Sequence, residues 1–411
     1  MTEGDSAQSF KLSMTEFVLL TAFMMAITAL SVDIMLPVLP DIVKTFELDD
    51  PNKQQFMVTA YLAMFAVGQI FAGPLSDRFG RRPVVLGGLG IYLVGTVLSV
   101  LADSYGLLLM ARAVQGFGAA GPRVVAVAIV RDRFVGRAMS QVMSFVMTIF
   151  IILPVLAPSI GVLIDGLGSW RYVFLFLLIF AAGTAAWTAL RLPETNPRGP
   201  GSPAPVPLGK AVSTIWYNPQ TMGYMIALGF VFGCLMTYVS TTQQIFQDIY
   251  GIVDWFPLVF GSVAFMMIVA SFVNARLVRT MGMRRLSHAA ALAFMVLSIL
   301  GFAASFFVEP LPLAVLMILL GLSFFFMGLV LPNFNALAME PLGRVAGTGS
   351  SFIGFVMTAL GAFLGGAAGQ FYHGTLGHLL GAYLVYSVAV VLIIYKVEGG
   401  RLMQPTPLHA E

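Results

Sequence analysis

The sequence predicts an all-α membrane protein, with twelve transmembrane helices in two pseudo-symmetric six-helix bundles. Three observations carry that reading. The 411 residues are 58% hydrophobic and only 10% charged, with a mean hydropathy of +0.90. A soluble globular chain carries about 25% charged residues to coat its core. Twelve apolar runs follow one another along the chain, each close to the ~20 residues that a spanning helix needs. A polar Pro/Gly/Ser-rich stretch from Pro193 to Ser213 divides those runs six and six. Together these exclude a soluble enzyme, a nucleic-acid binder and a disordered scaffold. The net charge of +3 is too small to point to nucleic acid, and the single cysteine, Cys234, makes neither an intramolecular disulfide nor a metal site.

Backbone amides in lipid must be satisfied within their own segment, so each run is read as a helix. The first six occupy 16–40, 54–75, 83–102, 105–130, 138–164 and 170–192. The second six occupy 216–247, 253–275, 286–308, 311–338, 344–372 and 376–396. A β-barrel is excluded, because its strands would alternate polar and apolar residues over about ten positions. Residues 1–15 form an N-terminal tail. Lys11 is the only cation ahead of the first run, which is too long for the core of a cleavable leader. Residues 16–192 make the first bundle. Residues 193–213 cannot bury enough apolar surface to order themselves and are expected to be a flexible linker. Residues 214–396 make the second bundle and 397–411 a C-terminal tail.

Orientation follows from the loop cations. With the termini inside, the cytoplasmic segments hold seventeen of the 22 Lys and Arg residues, and the outer loops only Lys44, Lys53 and Arg171. Arg112 and Arg123 lie within a span. Both termini are therefore expected in the cytoplasm, with the chain in a bacterial inner membrane. The halves also echo each other: shifted by 202 residues, Gly80-Arg81-Arg82 falls on Gly282-Met283-Arg284 and Leu75 on Leu277. Parallel six-helix repeats about an axis along the membrane normal are a known transporter architecture.

Between the second and third spans stands Gly73-Pro74-Leu75-Ser76-Asp77-Arg78-Phe79-Gly80-Arg81-Arg82-Pro83. Gly73 and Gly80 allow close backbone approach and a tight turn. Asp77 sets one anion among three arginines, where it can pair and meet a helix N-terminus. This string resembles the signature loop of the major facilitator superfamily, its motif A. Arg112 with Gln115-Gly116-Phe117-Gly118-Ala119-Ala120 in the fourth span resembles motif B, and Pro154 with Leu156-Ala157-Pro158-Ser159-Ile160-Gly161 in the fifth resembles the antiporter motif C. Ala157 and Val162 depart from the usual glycines of that last motif. Ser31-Val32-Asp33-Ile34-Met35-Leu36-Pro37, the stretch from Tyr238 to Gly251, Leu331-Pro332-Asn333 and Gly347-Thr348-Gly349-Ser350-Ser351 resemble the Bcr/CflA branch of drug:proton antiporters. The resemblance spans residues 15 to 395. It implies the major facilitator fold and proton-driven export of small amphipathic compounds, without fixing the compound.

An ionisable side chain in hydrocarbon costs about 3 kcal/mol or more, so each one calls for a reason. Asp33 is the only carboxylate in the sequence inside a predicted span and away from its ends. Burial raises a carboxyl pKa and a nearby cation lowers it, so an acid whose water access alternates can load and release a proton. Arg112 lies about seven residues into the fourth span, about 10 Å deep. It is expected to pair with Asp33 and tune its proton affinity, the alternative being an arginine that bonds backbone carbonyls. Arg123, eleven residues on and on roughly the same face, either faces the inner mouth of the cavity or snorkels to the surface. Asp132 is expected to latch onto the arginines near Asp77 and bias one access state, against the plainer reading of a solvated loop. A similar latch is expected of Glu340 and Arg344.

Gating is therefore assigned to Gly73, Asp77, Arg78, Gly80, Arg81, Arg82, Asp132, Pro154, Pro158 and Gly161. Uncharged polar residues in apolar helices suggest a cavity lining: Tyr61, Gln69, Tyr238, Ser240, Thr241, Gln243, Gln244, Asn333 and Asn335. The competing reading for each is a helix–helix hydrogen bond. The four histidines have no ligand set around them, and no metal is expected. There is no Walker phosphate loop, so ATP is not the energy source. No cofactor is expected; the partners are a small-molecule substrate, protons and the lipid bilayer, with the chain a monomer. The reading is therefore not of an enzyme but of a secondary exporter that rocks its bundles about a central cavity and exchanges drug for protons. The rivals are export of an endogenous metabolite such as an amino acid, sugar or siderophore, and a channel or sensor without coupled transport.

Overall fold

The computed structural model describes residues 12–134, 136–196 and 208–403. Fourteen α-helices follow in order. The first half holds α1 (Met14–Asp33), α2 (Leu39–Thr45), α3 (Phe56–Phe79), α4 (Arg81–Val100), α5 (Tyr105–Arg133), α6 (Gly136–Asp165) and α7 (Arg171–Arg191). Next come α8 (Leu208–Trp216), α9 (Pro219–Gln244), α10 (Phe256–Met281) and α11 (Met283–Ser305). The chain closes with α12 (Leu313–Met339), α13 (Ala346–Gln370) and α14 (Gly377–Val397). Twelve segments of the described chain are long and apolar enough to cross a membrane; α1 and α2 share one of them, and α8 is not among them. This is the all-α, twelve-span architecture that the hydropathy predicts.

An even number of crossings brings both chain ends to one face, here called the terminal face. Two contacts mark it: Arg191 at the end of α7 donates to Glu16 at the start of α1, at 2.7 and 2.9 Å, and Tyr224 of α9 donates to Glu398 beyond α14 at 2.6 Å. The opposite end of the molecule is the far face.

Within the first bundle α5 packs on α3 and α4, and α1 packs on α5, α6 and α7. The second bundle repeats this pattern, with α9 against α12, α13 and α14. The spans holding α1 and α9 are apolar on every side and are 83% and 72% buried along their most apolar windows, which makes them the central helices of their halves. Small residues let the backbones close up. A Cβ on Gly116 would lie 2.0 Å from the Tyr61 carbonyl oxygen, and one on Gly118 would lie 2.3 Å from the Tyr92 nitrogen. Only glycine permits α5 to sit this near α3 and α4.

The bundles meet along two seams, α3 on α13 and α6 on α10. Two expectations change here. The stretch from 193 to 213 is read from sequence as unordered, yet Leu208–Trp216 is helical and packs on α13 and α9, so its last residues are structured. The remainder of that stretch from 197 to 207 lies outside the described residues. The first span is also not one continuous helix. It ends at Asp33, passes through a 3-10 turn at Leu36–Val38 and resumes in α2, because Pro37 and Pro40 withhold backbone donors.

Candidate functional site: a buried acid and arginine between the bundles

Asp33 is the last residue of α1 and is 7% exposed. Its surroundings come from three helices. Gly161 of α6 lies against the break, where a Cβ would stand 2.2 Å from the Ile34 carbonyl oxygen, so the third candidate motif seats α6 beside the acid. Pro158 of α6 is buried one turn earlier, and half-buried Pro154 lies a turn before that. From the second bundle, Tyr238 of α9 lies within electrostatic reach of the Asp33 carboxylate. The acid therefore faces the boundary between the halves.

Arg112 is fully buried, as expected, but it is not paired with Asp33. Its Nη2 donates to the Ser31 carbonyl at 3.0 Å and its Nε to the Met57 carbonyl at 3.2 Å. Its Nη1 donates to Gln115 Oε1, and its guanidinium lies 4.4 Å over the Tyr61 ring. The physical reason is the early end of α1. A helix C-terminus leaves its last carbonyls without intrahelical partners, and the arginine satisfies one of them, two residues from the acid. Ser31 is itself held by Tyr92, with 2.7 Å between the hydroxyls, and Gln115 Nε2 donates to Thr96 Oγ1 at 2.8 Å. A polar cluster from α1, α3, α4 and α5 thus holds the base of the break rigidly. The Tyr61 and Tyr238 hydroxyls have no hydrogen-bond partner among the described residues.

The other candidate lining residues separate into groups. Gln69 donates across the bundle boundary to Thr358 of α13 at 3.1 Å. Arg123 is half-buried, with its guanidinium 4.7 Å over the Phe150 ring of α6. Ser240 is buried, and Thr241 donates to its own helix at Thr237, at 2.8 Å. Asn333 donates to Asn274 of α10 at 2.6 Å and to the Leu329 carbonyl, a helix–helix contact, whereas Asn335 is exposed. Gln243 and Gln244 sit near the far face, away from Arg123.

Gln244 belongs to a layer that seals the far face. Gln55 Nε2 donates to Gln244 Oε1 at 2.7 Å and to the Gly369 carbonyl at 3.1 Å. Gln244 Nε2 donates to Asn52 Oδ1 at 3.0 Å, and Asn52 Nδ2 donates to the Tyr372 carbonyl at 2.9 Å. Gln370 Nε2 donates to the Asn52 carbonyl at 3.1 Å. Tyr372 donates to Asp248 at 3.0 Å, and burial together with that carboxylate pushes its phenol above the ordinary value, so it stays a donor.

Near the terminal face the signature loop forms a network. Arg81, 4% exposed, donates through Nη1 to Asp77 at 2.6 Å and to Ser76 at 2.7 Å, and through Nε to Asp132 at 2.7 Å. All of these groups belong to the first bundle, so the Asp132 contact ties α3, α4 and α5 together rather than joining the two halves. Gly73 is where the halves touch, since a Cβ there would lie 2.5 Å from Ser351 Oγ. Gly80 adopts φ +104°. Arg78 is exposed, and Arg82 donates to the Ala189 carbonyl.

Glu194, absent from the sequence reading, completes this network. Its carboxylate accepts from the backbone N–H of Arg81 at 2.8 Å and of Arg82 at 3.1 Å, capping α4 where the helix dipole favours an anion. The second half repeats the arrangement: Arg284 donates to Glu340 and to Glu398, both at 3.1 Å. Glu340 is thus engaged by Arg284, and the Arg344 side chain lies outside the described residues. Arg284 is the bridging arginine of the second half as Arg81 is of the first, although the 202-residue register aligns it with Arg82 and Glu398 meets its guanidinium rather than capping the helix.

Two seams joining six-helix halves and a bridged network at the terminal end of each half describe a known fold. The chain matches the Major Facilitator Superfamily over residues 21–366. It belongs to that family. A bicyclomycin resistance protein homolog of Haemophilus influenzae is 30% identical over 391 residues, covering 90% of this chain and 94% of that protein. Multidrug resistance protein D of Escherichia coli is 34% identical over 179 residues, or 44% of this chain and 45% of that protein. Among solved structures, the human organic anion transporter MFSD10 superposes with a TM-score of 0.70 at 17% identity, covering 94% of this chain and all of that one. The protein is a major facilitator transporter rather than an enzyme, and its relatives carry multidrug and antibiotic resistance names.

Proposed function

We propose that this transporter exports small amphipathic drugs in exchange for protons by alternating access, with Asp33 as the proton-coupling acid. The observation that carries the proposal is the position of Asp33: a buried carboxyl at the broken end of α1, at the boundary between halves, beside a rigid arginine-centred cluster. Keeping a carboxylate charged there is costly. Proton binding and cargo binding at that point therefore compete, and competition between two ligands whose access alternates is exchange. Arg112 acts as a fixed positive charge near Ser31 that positions the end of α1. The resistance names of the Haemophilus influenzae and Escherichia coli relatives support drugs as cargo.

The cation asymmetry supports a reading in which the terminal face, and with it both chain ends, lies in the cytoplasm of a bacterial cell. In this reading the sealed layer at Gln55 and Gln244 closes the outer side, and no cofactor beyond the proton gradient is involved. Inverted membrane vesicles test the assignment. Imposing an acidic lumen should drive drug accumulation by the wild-type chain, and Asp33→Asn should abolish it while leaving detergent-extracted protein monodisperse. Gradient-driven accumulation that survives Asp33→Asn removes the acid from coupling. Growth of expressing cells on a compound panel, unchanged for every drug, removes drugs as cargo.

A further inference from the structure

One interior arginine stands without a partner. The three buried arginines of the described chain are each committed: Arg81 to Asp77 and Asp132, Arg112 to the Ser31 and Met57 carbonyls, and Arg284 to Glu340 and Glu398. Arg123 of α5 differs. Among the described residues nothing accepts a hydrogen bond from it and no carboxylate pairs with it; its guanidinium lies against the Phe150 ring of α6. None of its nitrogens is sealed from water.

The side chain faces inward. Arg112 and Arg123 are eleven residues apart on α5, three turns to within about 20°, and Arg112 points at α1 and α3 through Ser31 and Met57. On α6 the exposed Phe145, Ile152, Leu156 and Leu163 mark the outer stripe, and Phe150 lies about 120° or more around the helix from each. Snorkelling does not rescue the charge. Arg123 stops ten residues, about 15 Å, short of the end of α5 at Arg133, and helical side chains lean toward the helix N-terminus, which for α5 is the far face. Nor does a seam cover it, since α6 meets α10 at Val155 and Gly261, nearer the far face than Phe150. Arg123 and Phe150 therefore line a space that water reaches, on the inner side of the first half and to the terminal side of that contact.

A charge in such surroundings is costly until a counter-ion meets it. A guanidinium presents its donors in a planar fork that matches the two oxygens of a carboxylate, and the ring beside it offers apolar surface to whatever carries that group. We propose that Arg123 docks an acidic group of the cargo, so that the compounds carried are amphipathic organic acids or zwitterions. This narrows the class of drug and rests on the export reading for transport, though not for binding. With the acid held at Arg123, the apolar remainder of the molecule extends toward the Asp33 end of the space, three turns deeper on α5.

The full chain is reconstituted in phosphatidylcholine nanodiscs and titrated at neutral pH, without a gradient, with 4-phenylbutyrate, 4-phenylbutanol and 4-phenylbutylamine; empty discs give the partitioning of each. Saturable binding of the carboxylate is expected, about tenfold tighter than that of the alcohol or the amine, the scale of one partly solvated charge pair. Arg123→Gln should remove that preference and leave alcohol binding in place, whereas an arginine that merely props the helices would lower both alike. Arg123→Lys, which keeps the charge and loses the fork, should retain part of the preference, and it carries the comparison if the glutamine variant does not fold. Arg276→Gln, at an exposed arginine of α10, should change nothing. The proposal is overturned by a lack of saturable carboxylate binding, by an acid preference that survives Arg123→Gln, or by equal losses for acid and alcohol. It is also overturned if phosphatidylglycerol mixed into the discs displaces the acid, which would make the ligand a lipid headgroup. With no gradient applied, none of these outcomes depends on whether Asp33 couples transport to protons.

Discussion

At Arg112 a guanidinium is fully buried with no carboxylate in ion-pair range among the described residues, and it is held instead by two carbonyls, an amide and a tyrosine face. A planar fork is suited to this; an ammonium cannot reach three acceptors in one plane and stack as well. Arg112→Lys should therefore destabilise the protein by about 2 kcal/mol, read as a lowered thermal midpoint in detergent together with lost transport. An unchanged midpoint would show these contacts to be dispensable. Asp33 and Arg112 stand out in the sequence simply because hydrocarbon makes a charge expensive. Their relation to each other does not, because it depends on where α1 stops. Hydropathy runs smoothly from 16 to 40, and nothing in it marks the Ser31 carbonyl as the one left free. Glu194 and Glu398 are hidden for a different reason. Each lies in a polar stretch that hydropathy treats as solvated, more than a hundred residues from its arginine. Their one legible trace is that each follows the last span of its half.

At the scale of the element, the junction of α3 and α4 turns on one residue. Gly80 has φ +104°, and a Cβ there would lie 2.5 Å from Glu194 Oε2, an oxygen of the carboxylate that caps α4. Gly80→Ala should cost about 1 kcal/mol for the left-handed backbone, and more once the cap is displaced. The matching measurement is thermal unfolding of Gly80→Ala beside Glu194→Gln. The two losses should fall short of adding in the double variant, because both act through one cap. Full additivity would mean that the glycine and the cap act independently. The helices themselves were nearly all legible, since a bilayer fixes their length and their apolarity. The exceptions were breaks and short helices: Pro37 and Pro40 interrupt an apolar run without changing its hydropathy, and α8 is too short and too mixed to emerge from a proline-rich neighbourhood.

For the whole molecule, the question is how two halves hold together on one side and still part. The far-face layer joins them through Asn52, Gln55, Gln244 and Gln370, whose bonds run between side-chain amides and backbone carbonyls. Bonds of this kind contribute about 1 kcal/mol each, because water replaces them when they open. Gln55→Leu with Gln244→Leu removes reciprocal partners and should shift the molecule toward far-face opening. Distances between labels on Glu47→Cys and Thr375→Cys should lengthen, whereas an unmoved distribution would show that the α3–α13 and α6–α10 seams alone keep this side shut. The sequence offers Gln244 only as candidate cavity lining and does not single out Gln55 or Gln370, since a polar side chain in an apolar helix looks the same whether it faces cargo or the opposite half.

Every bond named between the two halves in that layer is between neutral groups, and neutrality has a practical outcome. Ion pairs loosen as ionic strength rises and fail when one member titrates, whereas amide-to-carbonyl contacts do neither. A closure made of them keeps the same strength in dilute, saline or mildly acidic surroundings, so the far face is fastened in a way that ionic strength and mild acid do not tune.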